Sequence, residues 1–67
     1  MKADIEIGNH GSIVILNALS DQAIDWMEEH LDPEVQRWGR NGYVIEPRYV
    51  EDIIVGAIEA GLTLEEL

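Results

Sequence analysis

The sequence predicts one small α+β domain of order β-β-α-β-α, a three-stranded, mainly antiparallel sheet with two helices on one face. Three observations predict it. Residues 3–7 alternate, Ala3, Ile5 and Ile7 against Asp4 and Glu6, which is the period of a half-buried strand. Residues 19–31 and 47–60 repeat instead at helical spacing, apolar on one side and acidic on the other. Turn chemistry divides these stretches, with Gly8, Asn9, His10 and Gly11 after the first strand and Asn41–Gly42 before the third. Residues 1–67 leave room for a single domain near the low end of what folds alone.

The first two strands read as a hairpin. Ser12 to Leu16 (SIVIL) is β-branched and apolar on both faces. Two registers fit. A two-residue His10–Gly11 loop sets Val14 and Leu16 beside Ile5 and Ile7, whereas a three-residue loop sets Ile13 and Ile15 there. Either one leaves apolar groups on the outer side of the second strand, next to Asp4 and Glu6.

The first helix runs from Ser20 to Leu31. Ser20 suits the N-cap, and Leu19 and Ile24 occupy the hydrophobic-staple positions around it. Ala23, Ile24, Trp26, Met27 and Leu31 share the core side, and Asp21, Asp25, Glu28 and Glu29 the other. His30 falls within the apolar arc and reads as a hydrogen-bonded core residue, as Trp26 and Trp38 read as core aromatics.

Asp32–Pro33–Glu34 has the form of a cap with Pro at the first helical position. Two continuations fit: a short helical turn before Trp38–Gly39, or a strand Val35–Trp38 that hairpins with Tyr43–Glu46. Tyr43 to Glu46 (YVIE) is the third strand, and a right-handed crossover sets it beside the first, giving order 2-1-3. Glu46–Pro47 opens the second helix, stapled by Ile45 and Val50. Tyr49, Val50, Ile53, Ile54, Ala57, Ile58 and Ala60 form its broad apolar face. Glu51, Asp52 and Glu59 lie opposite, with Val55 among them. Gly56 costs a helix about 1 kcal/mol relative to Ala and reads as close packing inside the monomer. Gly61 suits the position after the helix, with Leu62 folding back near Ala57 and Thr63–Leu67 a tail docked through Leu62 and Leu64.

Charge is the outlier. Fourteen acids face four bases, a net charge of −10. Phosphates of nucleic acid and anionic lipid should repel such a chain, so neither nucleic acid nor a membrane is expected as a direct partner, and basic surfaces should attract it. Acidity also aids solubility in any protein and marks salt-adapted surfaces. There is no cysteine, hence neither a disulfide nor a thiolate metal site. No apolar run reaches transmembrane length, and Met1, Lys2, Ala3 and Asp4 do not begin a signal peptide, which fits a cytoplasmic setting. Neither a phosphate loop, G-x-S-x-G nor H-E-x-x-H occurs, so no enzymatic activity, catalytic residue, metal or cofactor is expected.

What remains is the carboxylates. Asp21, Asp25, Glu28 and Glu29 follow one another at helical spacing, neighbours about 5–6 Å apart at Cβ. Asp32 extends the row, and Glu51, Asp52 and Glu59 supply a second one. Duplex DNA carries about one phosphate per 1.7 Å of axis, so fixed acids on a helix can occupy a basic groove built for nucleic acid. No Lys or Arg interrupts Asp21–Leu31, although like charges at this spacing destabilise a helix. Those eight acids are the expected contacts. Arg37, Arg40 and Arg48, grouped about Trp38 and Tyr43, read as pairing with nearby acids.

HGSIVIL, the Trp26 helix, Trp38–Gly39 and VIEPRYVEDIIVGAIEAGL together resemble small open reading frames of bacterial prophages and mobile elements. In size and charge the chain is similar to anti-CRISPR proteins and other phage DNA mimics. That resemblance implies an inhibitor that binds the basic, nucleic-acid-handling surface of a host defence complex in the bacterial cytoplasm. It carries over no residue by motif. The alternative is a structural or assembly module whose exposed strand face, with Val55, forms a homodimer or docks a larger protein; the acidic-inhibitor reading favours a monomer.

Overall fold

The structure, a computed structural model, describes residues 3–66. Met1, Lys2 and Leu67 lie outside the described residues, and with them the reading of the extreme N-terminus and the last residue of the tail. The fold is α+β, two helices on a five-stranded mixed sheet. Its elements are β1 (Ile5–Asn9), β2 (Val14–Ala18), α1 (Asp21–His30), β3 (Arg37–Trp38), β4 (Gly42–Ile45), α2 (Pro47–Glu59) and β5 (Leu64–Glu66). The strands lie in the order β3-β4-β2-β1-β5.

The hairpin puts Val14 and Leu16 on the face of Ile5 and Ile7, with pairs Ile5–Ala18, Ile7–Leu16 and Asn9–Val14. Its loop is Gly11–Ser12, closed by the His10 N–H donating to Ile13 O at 2.9 Å, so the strand pairs two residues away from the His10–Gly11 register. Gly11 takes the positive φ (83°) that the first central position of a type II′ turn requires, and its N–H donates to the Asn9 carboxamide oxygen. Gly8 and Asn9, expected in the turn, belong to β1.

Two expectations about the sheet are corrected. β4 pairs antiparallel with β2, not beside β1. The right-handed crossover rule governs parallel pairs, and the chain returns from α1 through β3 in the antiparallel sense. The sheet also has five strands rather than three. Arg37–Trp38 pairs with Gly42–Tyr43, a shortened form of the hairpin alternative, after a turn at Asp32–Val35. The tail forms β5, parallel to β1, with Ile5 opposite Leu64.

A clamp holds that last strand. Thr63 donates its N–H and hydroxyl to the Asp4 carboxylate at 2.9 and 3.1 Å, while the backbone N–H groups of Asp4 and Ile5 donate to Thr63 O. The Thr63 N–H, then the Ser20 and Thr63 hydroxyls, hold the Asp4 carboxyl below its ordinary value of 3.8.

Both helices cover one sheet face. Ile5, Ile7, Leu16, Ala18, Tyr43 and Ile45 pack there with Ala23 and Met27 of α1 and Ala57 of α2. Ser20 caps α1, accepting from the Ala23 N–H at 3.1 Å. α2 ends in a Schellman motif, with Gly61 at φ 88° and the Leu62 N–H donating to Ala57 O. Gly56 packs inside the monomer: a Cβ there would stand 3.2 Å from Trp26 Cζ2, so the glycine admits the indole against α2. The indole also stacks on His30, 4.5 Å between ring centres. His30 is exposed and hydrogen-bonds Trp26 O through Nδ1, which corrects its placing in the core. Trp38 is not core either. It is 59% exposed, because its pairing with Gly42 turns it to the helix-free face.

Candidate functional site

α1 sets the densest group of acids. Its buried residues, Ala23 and Met27, fix which side faces the sheet. At about 100° per residue, Asp21, Asp25, Glu28 and Glu29 then share one outward arc roughly a quarter-turn wide. All four are exposed. Glu28 and Glu29 stand in the last turns, where the negative end of the helix dipole disfavours carboxylates.

Asp32 follows in the turn after α1. Its carboxylate accepts from the Glu34 N–H at 2.8 Å, which fixes its direction. The second row is less regular. Asp52 and Glu59 lie nearly in line along α2, but Glu51 falls on the far side of the exposed Val55, so the structure does not bring all three together. Glu6 and Glu65 pair across β1 and β5 on the helix-free face. Negative charge therefore reaches both layers, with α1 its most ordered part.

The arginines leave these acids alone. Among the described residues, the one ion pair joins Arg48 to Glu46 at 3.2 Å. Arg37 lies over the Tyr43 ring at 4.2 Å, and Arg48 over Tyr49 at 4.8 Å. The expected pairing of all three arginines with acids thus holds for Arg48 alone. None of the eight expected contact acids has a basic partner among the described residues.

No group of three or more metal-ligating side chains comes together among the described residues, and no helix there is long and apolar enough to cross a membrane. What sequence reading missed is a groove beside β4, lined in part by Ile13, Tyr49 and Ile53. Its one signal was Tyr49, a large apolar residue at the start of α2 and one turn from the Asn/Gly/Pro-flanked strand. No family model matches the chain, and neither a curated protein nor a solved structure matches it.

Proposed function

We propose that the protein is a non-enzymatic inhibitor that occupies a basic, nucleic-acid-handling surface of another protein, in the manner of phage-encoded anti-CRISPR proteins and in a bacterial cytoplasm. The observation that carries the reading is the outward arc of Asp21, Asp25, Glu28 and Glu29, held on a capped helix with no basic partner among the described residues. Fixed charges need no reordering on contact, and a net charge of −10 speeds encounter with a basic surface. Asp32 and Asp52 continue the acidic surface, and Glu51 and Glu59 contribute more weakly.

The test is affinity capture from a bacterial lysate across a salt series, followed by elution with duplex DNA. The proposal expects a nucleic-acid-binding protein that leaves the column as salt rises and is displaced by the duplex. Retention that is indifferent to both salt and duplex would refute it.

A structural module that dimerises keeps one observation in its favour: the helix-free face carries the exposed Trp38. Ile15 of β2 is almost fully covered, which leaves little of the strand itself to bury. Sedimentation decides, since a stable dimer supports the module and a monomer the inhibitor.

A further inference from the structure

The fold does not close at one corner. β3 pairs only with Gly42 and Tyr43, and the ladder ends where the Val44 N–H donates to Gln36 O. β4 continues past it to Ile45 and passes directly into α2. Between the end of α1, the 32–36 turn and the first half of α2 lies an open groove of about 660 Å³. Its apolar surface comes from Ile13, Leu31, Val35, Val44, Tyr49 and Ile53. Ile13 is 36% and Tyr49 49% exposed, so side chains that would normally seek burial stay in water. Asp32, Glu46 and Asp52 also line it, and no Lys or Arg does. Arg48 holds Glu46, which leaves Asp32 and Asp52 without a basic partner among the described residues.

We propose that this groove docks a basic, amphipathic segment of a partner protein, its apolar side chains on Leu31, Tyr49 and Ile53 and a Lys or Arg between Asp32 and Asp52. Charge selects this occupant. A second copy would bring another ten net negative charges to the same place. A neutral apolar segment would strip water from Asp32 and Asp52 and return no hydrogen bond, an uncompensated loss. A basic segment buries the apolar surface and pairs both acids. The proposal stands on the groove itself and goes beyond the acidic arc of α1: the arc attracts, and the groove anchors.

The experiment is a selection from a displayed library of short random peptides against the folded protein, with the strongest binder then titrated into isotope-labelled protein. The expected binder carries Lys or Arg among apolar residues and shifts the amide signals of Leu31, Tyr49 and Ile53. Asp52→Lys, at an exposed position, should weaken it about tenfold or more, and Ile53→Glu should abolish binding. Glu65→Gln, on the helix-free face, should leave the affinity within about twofold, since an exposed charge outside the contact contributes little. Failure to select a binder, binders without a basic residue, or shifts confined to the outer face of α1 would overturn the groove. The last of these outcomes would leave the α1 reading standing, so the two fail separately.

Discussion

A single carboxylate joins the ends of the described chain. Asp4 accepts from the Thr63 N–H and hydroxyl and so fastens β5 to β1 across most of the sequence. Its pKa is lowered in the folded state, so ionised Asp4 favours folding. That contribution is fully present above the unfolded value near 3.8 and is lost as pH falls through the lower folded value. Stability of the wild type and of Asp4→Asn, measured by urea unfolding against pH, should therefore differ most near neutrality and converge in acid below that value. Gly42 works by its missing side chain. A Cβ there would collide with the backbone oxygen of Trp38 and crowd the Asn17 carboxamide, so Gly42→Ala is expected to break the β3–β4 pairing and destabilise by about 2 kcal/mol, read as a lower Tm. Neither role was legible in sequence. Asp4 looked like an outward residue of an alternating strand, and Gly42 like the second half of an Asn–Gly turn. The glycine that takes a positive φ in that hairpin is Gly39, at 66°.

Among the elements, those governed by local chemistry were legible and those governed by distant partners were not. The Ser20 cap, Pro47 at the start of α2 and the Gly61 stop each act within a turn of the chain, and both helices stand where those signals put them. β5 carries the sequence Leu–Glu–Glu, which has no strand pattern; the Asp4–Thr63 clamp makes it a strand. β3 is two residues long, too short to show a period. His30 was misplaced because an apolar arc drawn on a wheel ignores the neighbouring ring, and stacking on Trp26 serves His30 at the surface. α1 itself carries a cost. Asp25 and Glu29 repel at one-turn spacing, and Glu28 and Glu29 oppose the helix dipole. Replacing Glu29 by Lys turns that repulsion into an attraction, so Glu29→Lys should stabilise the fold by about 0.5–1 kcal/mol and raise Tm by a few degrees. Thermal unfolding in low salt checks this, and added salt should shrink the gain.

For the whole molecule, the sign and size of the charge were legible at once, and so was its densest part: helical spacing sets Asp21, Asp25, Glu28 and Glu29 opposite Ala23 and Met27, and all four stand exposed. The acids placed by strand pairing were not legible, as with Glu6 opposite Glu65 across β1 and β5. Likewise the groove beside β4 exists because β3 stops short, a fact of pairing that no window of sequence contains. The acids of α1 weaken the helix that bears them, and attraction to a basic partner is the return that their placement offers. The most direct measurement compares capture of a nucleic-acid-binding protein at low salt by the wild type and by the double variant Glu28→Lys, Glu29→Lys, each first shown by its amide spectrum to be folded. The variant, though at least as stable, should lose the captured protein; equal capture by both would mean that the acids of α1 are not the contact.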